Sequence, residues 1–295
     1  MKNCIVTGST GFIGRHVVKQ LLSHGWHVIA VGRSPSPYTA DENLTYVELD
    51  LHDPISVGAF FKRYQARHLI HLAWEATPGK FWHSTENFRW ISASALFLDL
   101  FTHHGGEKAV LAGSCAEYKW ENTILEENKS PLNPTTYYSA SKVAFAMLSD
   151  IIGQNINLVW ARIFFPYGPD EDKTKLVSYI LREISNNRLP EFQNAGRAVD
   201  LIHIEDVAIA FEALASTDVT GTVNICSGTA LLPHEIALEC AKLLGKKELV
   251  TALRSASQLT VSETSVYGCN KKLLQAFRPR KLTSLTEGLA SYFDK

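Results

Sequence analysis

Thr7-Gly8-Ser9-Thr10-Gly11-Phe12-Ile13-Gly14 decides the fold. The stretch follows a short apolar run, Asn3–Thr7, and opens a helical pattern, Ile13–His24. A strand that turns sharply into a helix needs glycine where the backbone bends and where helix presses on strand. Gly8 is placed for the turn, Gly11 for close approach of a ligand, and Gly14 for helix–strand packing. The unpaired N–H groups and dipole of the following helix favour an anion there, as in a pyrophosphate. A GxxGxxG triplet alone is a weak signal, since a glycine-rich turn need bind nothing. Its place at the first strand-to-helix junction of a βαβ unit makes it strong.

Outward from that turn, β-rich and helical runs alternate. Strands are expected at Asn3–Thr7, His27–Val31, Thr45–Glu48, His68–Leu72, Lys108–Ala112 and Asn157–Arg162. Helices are expected at Ile13–His24, Pro54–Tyr64, Asn87–His103 and Tyr138–Gln154. Apolar strands uncut by proline, each followed by a helix, predict an α/β fold: a doubly wound parallel sheet with right-handed crossovers. Ligands of such sheets bind beyond the carboxyl ends of the strands. After Arg162 the rhythm is lost. Phe165–Pro169 reads as a punctuated turn, followed by a helix at Lys175–Asn186, a strand–helix pair at Asp200–Ala215 and a strand at Thr222–Cys226. Helices at Pro233–Leu244 and Leu285–Phe293 close the chain, and this half predicts a smaller lid-like domain. The division is 1–164 plus about 204–226 for the dinucleotide domain, and about 165–203 plus 227–295 for the smaller one.

The second strand ends Val31-Gly32-Arg33-Ser34, with no acid from Val28 to Ser34 to receive ribose hydroxyls. A guanidinium with a neighbouring hydroxyl suits a phosphate instead, so Arg33 and Ser34 predict NADP(H) over NAD(H). The competing reading makes Arg33 an ordinary loop residue. Asp50 is placed either to touch the adenine or to cap the helix begun by Pro54.

Tyr138 and Lys142 are four residues apart and share a helix face. An ammonium beside a phenol stabilises its ionised form, which suits proton exchange with a carbonyl or alcohol. Such a pair is common by chance and reads equally well as a surface or packing feature.

Further motifs appear in order: LDLHD at Leu49–Asp53, LIHLAW at Leu69–Trp74, GSCAEY at Gly113–Tyr118, YSASK at Tyr138–Lys142, ARIFFPYGP at Ala161–Pro169 and DLIHIEDVA at Asp200–Ala208. With TGSTGFIG and the C-terminal segment Asn270–Phe293, they resemble the extended short-chain dehydrogenase/reductase, or NAD(P)-dependent epimerase/dehydratase, family across almost the whole chain. The resemblance implies a Rossmann-type sheet with a smaller C-terminal substrate-binding α/β domain. It implies Ser114, Tyr138 and Lys142 as the catalytic set, with Ser114 hydrogen-bonding the substrate oxygen. Tyr137, five residues before Lys142, competes for the tyrosine role from a different face. The implied cofactor contacts are Gly8, Thr10, Gly11, Phe12, Ile13, Gly14, Arg33, Ser34, Asp50, Leu51, Leu72, Ala73, Trp74, Ala112, Tyr138, Lys142 and Phe164. Those for substrate are Trp74, Ser114, Cys115, Tyr138, Phe165, Arg197 and His203.

Four departures narrow the reaction. Dehydratases of this family commonly carry an acidic pair directly after the catalytic Ser/Thr, whereas Ser114 is followed by Cys115-Ala116-Glu117, which disfavours elimination. Trp74 replaces a small residue, Phe165 stands where sugar-nucleotide members often have Asn, and Val199 where an Arg often precedes the Asp. Arg197 or Arg254 could supply that missing guanidinium. All three also read as core residues. The leading expectation is a nucleotide-deoxysugar 4-ketoreductase: NADPH-dependent reduction of a nucleotide-linked 4-keto-6-deoxyhexose, with Tyr138 as proton donor. The alternatives are a nucleotide-sugar epimerase, a reductase of a small non-nucleotide carbonyl, and an NADPH-sensing protein without turnover.

Composition agrees with a soluble enzyme: 295 residues, 45% hydrophobic, 20% charged, net charge −1. No basic stripe predicts nucleic acid, and no apolar run predicts a membrane span or signal segment. Five cysteines without CxxC spacing read as reduced thiols in a cytoplasmic protein, with no metal site. His103-His104 reads as a helix-end cation pair. The resemblance also implies a homodimer through Asn87–His103 and Tyr138–Gln154.

Overall fold

The computed structural model describes residues 2–121, 123–256, 265–277 and 281–293, so residues 278–280 of the C-terminal motif lie outside the described residues. The first half contains β1 (Asn3–Thr7), α1 (Phe12–Ser23), β2 (His27–Gly32), β3 (Leu44–Glu48), α2 (Pro54–Arg63), β4 (His68–His71), α3 (Glu86–His103), β5 (Lys108–Ser114), α4 (Tyr137–Ile152) and β6 (Asn157–Ile163). There follow β7 (Phe165–Tyr167), α5 (Leu176–Ser185), β8 (Leu201–His203), α6 (Ile204–Ser216), β9 (Gly221–Ile225), α7 (Pro233–Leu243), α8 (Lys247–Ala256), α9 (Lys271–Ala276) and α10 (Leu285–Ala290). Short 3-10 turns lie at Phe81–His83 and Cys115–Glu117.

Seven strands form one sheet in the order β3-β2-β1-β4-β5-β6-β9, with every neighbouring pair parallel. The chain leaves β1 in one direction toward β2 and returns on its other side as β4. That reversal opens a crevice at the carboxyl ends of β1 and β4, directly above the glycine turn. Successive residues of each strand feed opposite faces. Val6 and Val110 join Val17 and Leu21 of α1 and Phe211 and Leu214 of α6. Ile5, Leu69 and Leu111 join Phe60 and Phe61 of α2, Phe97 of α3 and Phe145 of α4. Local chemistry starts the helices: Asp53 accepts from Ile55 N ahead of Pro54, and Thr136 and Ser139 cap α4 reciprocally.

A separate core joins Ile180, Leu181 and Ile184 of α5, Ile236 and Cys240 of α7, Leu289 of α10, and Val199 and Leu201. Here the structure departs from the sequence reading. Phe165–Tyr167, read as a turn, is a strand that pairs in parallel with β8. Only Gly168, with φ of 151°, begins the bend. Three residues holding a proline carry no strand pattern of their own; pairing with Leu201–His203 makes the strand. The reading also lacks α8 and α9. Leu273, Ala276 and Phe277 pack into the main-sheet core, although the sequence assigns that segment to the smaller domain.

All five cysteines are buried free thiols. Among the described residues no helix is long and apolar enough to cross a membrane, and no His/Cys/Asp/Glu group could hold a metal ion.

Candidate active site

The glycine turn has the geometry its sequence requires. Gly8 takes φ of 64°, and a Cβ there would lie 2.7 Å from Ala73 N. A Cβ on Gly14 would lie 2.1 Å from Gly8 O. Neither position tolerates a side chain, so α1 seats directly on the turn. Gly11 is the N-cap of α1, and no acid occupies the first helical turn, which leaves its dipole open to an anion. Thr7 Oγ1 accepts from Leu72 N and Ala73 N at 3.2 and 3.3 Å, binding the end of β1 to the end of β4.

Above this turn runs a cavity of about 510 Å³. Gly8, Thr10, Gly11, Phe12, Ile13, Gly14, Arg33, Ser34, Leu51, Leu72, Ala73, Trp74 and Ala112 line it, as the sequence reading expects of a dinucleotide. The cradle that any Cβ at Gly8 or Gly14 would fill, and the uncapped helix behind it, fit such a group. Arg33 is exposed at the rim, its guanidinium 5.6 Å from the Trp90 ring. Of the expected cofactor contacts, Asp50, Tyr138, Lys142 and Phe164 are not in the wall. Asp50 is exposed and accepts from His52 N at 3.0 Å, bracing the turn before α2; the helix cap is Asp53. Phe164 is buried and lines the adjoining cavity.

That second cavity, about 420 Å³, abuts the first through Ile13, Pro78, Pro166 and Lys175. Ser114, Cys115, Tyr138 and Phe165 line it. Burial pushes the Tyr138 phenol well above its ordinary pKa, and the neighbouring Ser114 side chain opposes the rise. Phe81 and Trp82 stand edge-on to the Tyr138 ring at 4.8 and 5.6 Å, holding it in place. Lys142 donates to Ala112 O at 2.8 Å, its ammonium 3.8 Å from the Trp74 ring centroid and 5.9 Å from that of Tyr138. Burial lowers Lys142 to about 7, against the opposing pull of Glu117. The three residues expected to act together therefore converge: Ser114 and Tyr138 line the second cavity, and Lys142, in neither wall, bears on Ala112 and Trp74 of the first. Tyr137 is exposed on another face, against Phe88 and His83.

Trp74 lines the cofactor cavity and not the second one. Its indole donates to Asn87 Oδ1 at 2.8 Å, while Asn87 Nδ2 donates to Phe81 O and Ser84 O. One buried amide thus fixes both the indole under Lys142 and the aromatic turn against Tyr138. Farther out, an open cleft of about 810 Å³ runs past Trp82, Trp120, Phe165, Tyr179, Phe192 and Arg197. The Arg197 guanidinium lies 5.7 Å from the Trp120 ring. Val199 borders this cleft but is bound into bridges with Leu231 and Val266. Arg254 lies on α8 and is absent from the walls of these three cavities.

His203 stands apart. It is buried, with Nε2 3.1 Å from Ser291 Oγ and its ring edge-on to Tyr167, and it lines none of the three cavities. Asp200 beside it is a staple: its carboxylate accepts from Ser227 N and Oγ, Gly228 N and Gly268 N. The sequence reading does not single out Phe81, Trp120, Tyr179, Phe192 or Lys175. Scattered aromatics and a lone lysine carry no spacing signal: Tyr179 and Phe192 pack on the smaller core, Trp120 on Phe165, and Phe81 on Tyr138.

This architecture recurs among known proteins. A UDP-glucose 4-epimerase of Thermus thermophilus, solved with NAD, superposes with a TM-score of 0.77 at 21% identity over 99% of this chain and 98% of its own. A dTDP-6-deoxy-L-talose 4-dehydrogenase (NAD(+)) of Aggregatibacter actinomycetemcomitans is 28% identical over 238 residues, 77% of this chain and 84% of its own. A UDP-glucose 4-epimerase of Neisseria meningitidis is 24% identical over 88% of this chain and 84% of its own. The model of the NAD dependent epimerase/dehydratase family matches residues 4–226, from the first strand through the glycine turn and the Tyr138–Lys142 helix to the last strand of the sheet. On that match the chain belongs to the NAD-dependent epimerase/dehydratase family.

Proposed function

We propose that the protein is an NADPH-dependent 4-ketoreductase acting on a nucleotide-linked 4-keto-6-deoxy sugar. The observation that carries the reading is the convergence of Ser114 and Tyr138, in the wall of the second cavity, with Lys142, which is held against Ala112 and Trp74 of the first. The first cavity would hold the dinucleotide, which supplies a hydride when bound. Ser114 and Tyr138 then face the carbonyl oxygen from the second cavity, Ser114 polarising it and Tyr138 giving it a proton. Lys142, held between Ala112 O and the Trp74 face, stabilises the phenolate left behind. The outer aromatic cleft with Arg197 suits a planar base and an anionic linker.

Two features favour reduction over its neighbours. The acid nearest Ser114 in sequence, Glu117, is fully buried and paired with Arg162, so it offers no base for elimination. Arg33 at the rim, with no acid ending β2, supports NADP(H). An epimerase using the same Tyr138 is the second reading, favoured by the likeness to the Neisseria enzyme. The name of the Aggregatibacter relative specifies NAD(+), which makes the cofactor an experimental question. Nucleotide-linked 4-keto sugars mixed with the protein should oxidise NADPH, with NADH a poor substitute. Isomerisation without net oxidation would move the assignment to epimerase, and strong NADH preference would overturn the Arg33 argument. The outer face of α3 and α4 exposes Phe88, Tyr137, Met147, Leu148 and Ile151, and we assign it to a homodimer contact that a Met147→Glu, Ile151→Glu double variant should break in sedimentation.

A further inference from the structure

Three residues at the end of β5 face three different partners. Ala112 O receives the Lys142 ammonium, and Ser114 meets Tyr138. Gly113 between them leaves a space, since a Cβ there would lie 2.4 Å from Trp160 Nε1 and 2.8 Å from Glu117 Oε1. Glu117 fills that space with no exposed surface. It accepts from Ser114 N at 2.7 Å, from Arg162 Nε at 2.7 Å and from Trp160 Nε1 at 3.0 Å. The first bond completes a capping box across the turn that carries Ser114.

A glutamine could cap that turn as well. Buried ion pairs gain little stability over neutral pairs of similar shape, so stability alone does not call for a charge here. We propose that Glu117 is a positioning residue whose carboxylate fixes the Ser114 turn from behind and sets a buried negative charge behind the stretch of β5 that holds Lys142 and Ser114. The inference rests on the assignment of Tyr138 as proton donor.

The surrounding groups leave this role to Glu117. Glu117 is the charge that opposes the burial of Lys142, and it adds to the upward push on Tyr138. From β4, His71 faces Lys142 as a neutral ring, its pKa lowered to about 3 by burial and by the lysine. Cys115 is a neutral thiol, raised by burial. On β6, Arg162 pairs with Glu117 and lies 4.4 Å from the Tyr118 ring, whose hydroxyl donates to Asn224 Oδ1. Removing the carboxylate's charge therefore lowers both pKa values. The form competent for reduction, phenol with ammonium, is then lost at lower pH.

The test is the pH profile of kcat/KM for ketone reduction, which reports the free enzyme. Wild type should show activity falling as pH rises through about 7, where Lys142 loses its proton. A flat profile would refute the Tyr138–Lys142 reading itself. In Glu117→Gln with Arg162→Gln, an amide donor meets an amide oxygen and both charges go together. This variant should bind NADPH with affinity within about threefold of wild type, while its alkaline limb moves to lower pH by half a unit or more. A folded double variant with an unmoved limb would reduce Glu117 to a structural cap and overturn the proposal. Should that variant not fold, Trp160→Phe gives the sign. It strips a neutralising hydrogen bond from the carboxylate and leaves the charge, so the limb should move to higher pH; no movement, or movement to lower pH, would overturn the proposal.

Discussion

The two halves of this molecule are specified in different ways. In the dinucleotide half, single residues meet backbone constraints that nothing else meets: Gly8 at φ 64° against Ala73, and Gly14 against Gly8 O. The outer cleft, by contrast, is assembled from Trp82 and Trp120 of the dinucleotide half and Phe165, Tyr179 and Phe192 of the smaller half, residues from loops, a 3-10 turn, β7 and α5 that only tertiary packing brings together. A constraint on backbone shape leaves a residue type at a fixed spacing. A wall built by packing leaves only composition, and many arrangements of aromatics would serve.

The sharpest break should come where the halves meet. Tyr138→Phe should lower turnover about 10³-fold while NADPH affinity stays unchanged, measured by steady-state kinetics beside a fluorescence titration. A loss of cofactor affinity instead would make the tyrosine part of the binding wall. Next, Gly14→Ala should destabilise the protein by about 3 kcal/mol and abolish cofactor binding, because the added methyl meets Gly8 O at 2.1 Å. Thermal melts with and without NADPH would read both effects.

The smaller half should respond differently. Asp200→Ala leaves the amides of Ser227, Gly228 and Gly268 without their acceptor, at about 2 kcal/mol and a melting point lower by about 5 °C. NADPH binding below the melt should survive; its loss would mean the halves are not independent. Mildest of all, Arg197→Met should raise KM about tenfold with kcat unchanged, the sign of an interaction made equally in ground and transition states.

The same contrast explains what the sequence discloses. The strand–helix alternation, the glycine turn and the Ser114, Tyr138 and Lys142 set are legible because each is local or falls in a motif. Asp50 misleads because two acids three residues apart, Asp50 and Asp53, both suit the start of α2, and only the fold shows which caps it. His203 misleads for another reason. Its motif position is next to a site, but at the end of β8 it turns toward Tyr167 and Ser291. Phe165–Tyr167 passes for a turn because a three-residue strand has no period to read. Glu117 is visible as a letter near Ser114, yet its burial depends on Gly113, Trp160 and Arg162 from two strands.

The central claim is that Tyr138, Ser114 and Lys142 complete a net reduction at a carbonyl facing the cofactor cavity. NADPH carrying deuterium at the transferable position, incubated with the protein and a nucleotide-linked 4-keto-6-deoxyhexose, tests it by mass spectrometry of the sugar. The expected product gains one deuterium at C4 for each NADPH consumed, and Tyr138→Phe yields almost none. A rearranged sugar free of deuterium, with NADPH intact, would contradict the account.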